Sequence, residues 1–132
     1  MQGHPLIPGQ ASGPVLVSDE PLSFWGGYDQ FTGEIIDRRH PLSGQMAKGC
    51  ILAIPATRGS STTTAVLLEA IRGGMAPIAL LTSEPDHFLA LACIVADEMY
   101  GKPLPLVVLQ PADFATLQNG RHLTIDRDGK VR

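Results

Sequence analysis

Ile51-Leu52-Ala53-Ile54-Pro55-Ala56-Thr57-Arg58-Gly59-Ser60-Ser61-Thr62-Thr63-Thr64-Ala65-Val66-Leu67-Leu68 is the stretch that decides the fold. An apolar run of strand length ends at a proline, a glycine follows, and hydroxyl residues then open a segment whose apolar positions recur at helical spacing. Strand, turn and helix in that order form the first half of a crossover to a parallel neighbour. The turn also has a chemical character. A glycine ahead of serines and threonines gathers side-chain oxygens and free backbone N–H groups at the positive end of a helix dipole. Such a place favours a carboxylate, a phosphate or an alkoxide.

Outward from this turn, residues 49–54 read as a buried strand, and a helix capped by Ser60 or Ser61 runs to Ile71. Val66, Leu67, Ala70 and Ile71 share one face of it, and Gly73-Gly74 ends it. Residues 76–81 are a second strand. Glu84-Pro85-Asp86 opens a second helix through Met99, and its apolar positions Phe88, Leu89, Leu91, Ala92, Ile94 and Val95 go most of the way round, which predicts substantial burial. Gly101 terminates it. Residues 104–109 make a third strand, residues 111–117 a short helix, and residues 122–125 pair with a closing strand through an Asp128-Gly129 turn.

On the amino-terminal side, residues 13–18 read as a strand closed by Ser18-Asp19-Glu20-Pro21, and residues 22–48 as glycine-rich loops around a short strand at 33–36. The alternation over residues 49–109 predicts a mixed α/β domain. Its sheet has a parallel core joined by right-handed crossovers, with flanking strands adding a second layer.

Composition narrows the function classes. The 132 residues suit one domain, and the net charge of −3, with basic residues scattered apart from Arg38-Arg39, lacks the footprint of a nucleic-acid or anionic-membrane binder. The first residues show neither the basic nor the apolar region of a secretory signal, and no apolar stretch reaches membrane-spanning length, so a cytoplasmic protein is expected. Cys50 and Cys93 each sit in an apolar run and read as reduced, buried thiols. Neither they nor His4, His87 and His122 have metal-ligand spacing, so no metal is expected on this chain alone.

Serine and threonine are the commonest helix caps, so the hydroxyl-rich turn by itself is satisfied by an ordinary helix start. The wider set of motifs says more. Phe24-Trp25-Gly26-Gly27-Tyr28-Asp29, Thr32-Gly33 with Asp37, His40-Pro41-Leu42-Ser43-Gly44, Gly59-Ser60-Ser61-Thr62, Val66-Leu67-Leu68-Glu69 and Gly74-Met75-Ala76-Pro77 occur in order. Together they resemble the small subunit, or swivel domain, of the aconitase X family.

The resemblance implies a swivelling β/β/α domain, half of a hydro-lyase whose larger partner subunit carries an iron or iron–sulfur site and most of the substrate pocket. It also implies that the swivel serine of a Gly-Ser-Ser motif takes the proton next to a carboxylate while the partner's metal draws off the hydroxyl. Ser60 then stands as the catalytic base, with Gly59, Ser61 and Thr62 around the substrate, and the chain is inactive without its partner. A serine alkoxide needs several oriented donors to exist near neutral pH, and a glycine turn opening a helix supplies them.

Other residues keep two readings. In the wider aconitase pattern an arginine directly follows the two serines and grips a substrate carboxylate; here Thr62 follows and Arg58 lies just upstream. Arg58 either supplies that bidentate grip or is a solvated loop residue. Gly26-Gly27 lets the backbone approach a ligand or simply turns, and His40, held extended by Pro41, contacts substrate or partner or is merely solvated. Trp25 with Phe24 suits core or docking surface.

Family members divide between cis-3-hydroxy-L-proline dehydratases and mevalonate 5-phosphate dehydratases. A composition without charge density leans to the first. A non-catalytic module that holds an anion at the same turn is the reading from another class.

Overall fold

A computed structural model describes residues 1–59 and 62–132. Six strands form one sheet: β1 (His4–Ile7), β2 (Ala11–Val17), β4 (Ile51–Ala53), β6 (Ala79–Thr82), β7 (Leu106–Val108) and β8 (His122–Ile125), in the order β1-β7-β6-β4-β2-β8. Two further strands, β3 (Leu22–Ser23) and β5 (Thr57–Arg58), pair with each other in parallel. Helices α1 (Thr62–Arg72) and α2 (His87–Tyr100) follow β5 and β6, and a single turn, α3 (Pro111–Phe114), follows β7.

The core of the sheet is parallel, as the alternation of strands and helices requires. β2 pairs β4, β4 pairs β6 and β6 pairs β7 in parallel, while β1 and β8 run antiparallel at the two edges. Alternation along each strand sorts side chains between two faces. Leu16, Leu52, Leu80 and Leu106 point to the layer formed by α1, α2 and the loop residues Phe24, Tyr28, Ile35 and Leu42. Val15, Ile51, Ala53, Ala79, Leu81 and Val107 point the other way, onto Phe114, Leu123, Ile125 and Val131. Both faces are covered, which is why these strands read as continuous apolar runs.

Several expectations change. The flanking strands do not make a second layer but extend the same sheet: β8 pairs with Ala11 to Pro14 of β2, and β4 with Val15 to Val17, so one long strand serves two neighbours along different halves. The sequence reading missed β1 because Pro5 sits inside it; an edge position with a register shift between Pro5 and Ile7 accommodates the missing N–H. No strand forms at 33–36. Isolated bridges Tyr28 to Ile35 and Glu34 to Met46 stand there instead, between left-handed glycines at 33 and 44.

Helix α2 is buried on one side only. Leu89, Ala90, Ala92, Cys93 and Ala96 are buried where α2 packs on α1 and on strands β1 and β7, while Phe88, Leu91, Ile94 and Met99 on its outer side are exposed. Asp86 caps the helix, within the Glu84-Pro85-Asp86 opening that the sequence predicts, and left-handed Gly101 ends it as expected. Cys93 is fully buried, but Cys50 is only half-buried, just ahead of β4, where its thiol lies 3.5 Å from the carbonyl of Met46.

Candidate active site

The chain leaves β4 at the carboxyl edge of the sheet and passes through Pro55 and Ala56 into β5. There Ser23 lies opposite Arg58 in the ladder with β3. Gly59 follows with φ +108°, a left-handed value that favours glycine, and a Cβ built on it would stand 4.0 Å from both Ser23 Oγ and Thr63 Oγ1. Helix α1 begins at exposed Thr62. Ser60 and Ser61, the expected base and its neighbour, lie outside the described residues.

A polar cleft of about 460 Å³ opens beside β5, lined by Glu20, Pro21, Ser23, Asp37, Arg39, His40 and Arg58. Two arginines and two acidic residues therefore line one space. Among the described residues the ion pairs are Glu69 with Arg72 and Asp126 with Arg132, both away from the cleft, so neither Arg39 nor Arg58 is tied up in a contact pair there. Such arginines are available for a carboxylate or phosphate.

His40 is a brace rather than a solvated loop residue. It is buried, its Nδ1 accepts the N–H of Leu42 at 3.1 Å, and its Nε2 lies 3.3 Å from the carbonyl of Glu20. Those partners fix the neutral tautomer with the proton on Nε2 and tie the 37–42 loop to the start of β3. Asp37 completes that loop by accepting the N–H of Arg39 at 3.0 Å.

The two glycines of the aromatic loop do not join Arg58 and His40. Gly26 has φ +75° and lines a neighbouring apolar hollow of about 490 Å³ with Phe24, Trp25, Tyr28 and Phe31. Gly27 packs so closely that an added Cβ would lie 2.1 Å from the carbonyl oxygen of Ser23. Phe24 is core, stacked on Tyr28 with ring centroids 5.1 Å apart, whereas Trp25 is 71% exposed. Tyr28 donates its hydroxyl to the carbonyl of Met75 at 2.7 Å, and burial pushes that phenol far above its ordinary value of 10.0, so it is an anchor and not an acid.

Sequence reasoning missed Ser23, Arg39, Thr57 and the second role of Asp86. The first two come to the cleft through a two-residue parallel ladder and a buried histidine, neither of which has a local signature. Asp86 was legible as part of a helix opening, but its bond to Thr57 spans 29 residues and was not.

The residues present do not fit an iron site. Among the described residues no three His, Cys, Asp or Glu side chains converge on a place that could hold a metal ion.

Fold and cleft together define a swivel-type α/β domain. The aconitase X swivel domain model matches residues 1–132, and the chain belongs to that family. It is 54% identical over 104 residues to the cis-3-hydroxy-L-proline dehydratase of Pseudomonas aeruginosa, covering 79% of this chain and 18% of that protein. The chain thus spans about a fifth of that relative's length. It is 36% identical to the phosphomevalonate dehydratase small subunit of Methanothermobacter thermautotrophicus, covering 94% of this chain and 92% of that one. A crystal structure of Thermococcus kodakaraensis aconitase X in its holo-form superposes with a TM-score of 0.86 at 30% identity, covering 98% of this chain and 93% of that one.

Proposed function

We propose that this chain is the swivel part of an aconitase X dehydratase and that Ser60 takes the proton from the carbon next to a substrate carboxylate. The observation that carries the reading is the two-arginine cleft, which opens where β5 turns through Gly59 into α1. Arg58, directly upstream of that turn, holds the carboxylate by a bidentate fork, and Arg39 adds a second cation. Ser61, Thr62 and the backbone at Gly59 complete the anion environment at the helix start. His40 acts by holding the loop that carries Arg39. Gly26 and Gly27 shape the adjoining aromatic loop, so their part in substrate binding is at most through the backbone.

The departing hydroxyl is the task of a larger polypeptide, which carries the iron or iron–sulfur site and most of the pocket. The two free thiols suit work in the reducing cytoplasm.

The substrate reading is cis-3-hydroxy-L-proline, supported by 54% identity to a dehydratase of that name. Mevalonate 5-phosphate is the second reading, supported by the pairing of Arg39 with Arg58 in one cleft, because two guanidiniums suit a phosphate as well as a carboxylate. Co-expression with the large aconitase X polypeptide, followed by mass-spectrometric detection of water loss from each compound, tests both. Turnover of cis-3-hydroxy-L-proline by the assembled enzyme, and none by this chain alone, is expected. Anion binding with no dehydration of either compound would instead mark a non-catalytic module.

A further inference from the structure

The Ser60-Ser61 pair is flanked on both sides by residues tied to the first turn of α2. Upstream, Thr57 gives its N–H to Oδ2 of Asp86 at 2.8 Å and its hydroxyl to the same oxygen at 2.6 Å. Downstream, the Thr64 hydroxyl donates to the carbonyl of Phe88 at 3.0 Å. The other carboxylate oxygen of Asp86 accepts the N–H groups of Phe88 and Leu89, both at 3.1 Å.

A helix cap needs only that second oxygen. The first one does something else. β5 is two residues long, and among the described residues its ladder partner is β3, an equally short strand outside the main sheet. One buried carboxylate, satisfied by four donors, stands where a second neighbouring strand would otherwise stand.

We propose that Asp86 is a positioning residue for the segment that leads to Ser60: through Thr57 it fixes β5, and so Arg58 and Gly59, against the first turn of α2. The proposal rests on the function proposed above, and deepens it by naming what holds Arg58 and Gly59 in place. Misplacing a reacting group by about 1 Å can cost on the order of 10²-fold in rate. A segment held by one short ladder would have that freedom.

The test uses Asp86→Asn, Thr57→Val and Thr57→Ser. Asparagine caps helices as well as aspartate, so Asp86→Asn keeps α2 while its amide can no longer accept both Thr57 donors and both helix N–H groups. In the assembled enzyme Asp86→Asn is expected to lower kcat at least about tenfold with KM within about twofold of wild type. Thr57→Val should lower kcat in the same sense by less, and Thr57→Ser, which keeps the hydroxyl, should restore it. By amide hydrogen exchange on the full chain, residues 57–59 should exchange at least about tenfold faster in Asp86→Asn, with Phe88 and Leu89 unchanged.

Exchange at 57–59 that matches wild type overturns the proposal, as does faster exchange with unaltered kcat. If the wild-type complex dehydrates neither hydroxy acid, the functional reading fails on its own. The exchange experiment then still decides whether Asp86 holds that segment.

Discussion

Gly27 is fixed by space and not by φ. Its α-hydrogen faces the carbonyl oxygen of Ser23, where a Cβ would come to 2.1 Å, and Leu22 Cδ1 lies 3.2 Å away. Backbone cannot swing aside like the end of a side chain, so Gly27→Ala must push β3, which carries Ser23 into the cleft. Overpacking of this kind costs about 1–3 kcal/mol. The urea midpoint of the full chain should fall accordingly, and an unchanged midpoint would mean that the aromatic loop yields without strain. Gly26, its neighbour, has open space and a left-handed φ, so the two glycines of one motif answer to different constraints. A Gly-Gly pair in sequence does not reveal which is which.

Among the elements, α2 shows best what a sequence can and cannot tell. Its opening at Glu84-Pro85-Asp86 and its end at Gly101 were readable, because helix ends have local signatures; its inward face was not, and of the residues expected to be buried only Leu89 and Ala92 are. The exposure of Phe88, Leu91, Ile94 and Met99 was not readable either, since they are apolar whichever way they face. The parallel strands were legible from their apolar runs. β1 was hidden by Pro5, and β3 and β5 by their length of two residues. The cleft was half legible: Arg58 and His40 were named, while Ser23 and Arg39 arrive through long-range contacts.

The one-sided burial of α2 can be read chemically. Cys93 lies on the inner face, and burial pushes its thiol from 9.0 up to about 12, while half-buried Cys50 is raised less. Thiol-specific reagents near pH 8 should modify one cysteine per native chain, Cys50, and both after denaturation. The native state holds the Cys93 proton more tightly than the unfolded state does. That group's contribution to stability is therefore intact below its ordinary value of 9.0 and declines as pH rises from there towards about 12. Rapid modification of native Cys93 would contradict the burial of that face.

At the scale of the whole molecule, a sheet with both faces covered holds a cleft at one edge, and two arginines, a braced histidine and a glycine turn converge there. Among the described residues no set of side chains that could hold a metal ion converges, and in the proposed function this domain contributes cations for the substrate's anion and the Ser60 hydroxyl. The larger body of an aconitase X enzyme supplies the rest in the proposed function.

The central claim is that Ser60 moves a proton within a reaction centre shared with that larger body. The most direct measurement is the dehydration rate of the assembled enzyme carrying Ser60→Ala. A positioned acid–base group is worth about 10²–10⁴-fold, so kcat should fall by that factor. Stability should drop by no more than the roughly 1 kcal/mol of a lost serine cap. An alanine variant that dehydrates its hydroxy acid at the wild-type rate would contradict the account.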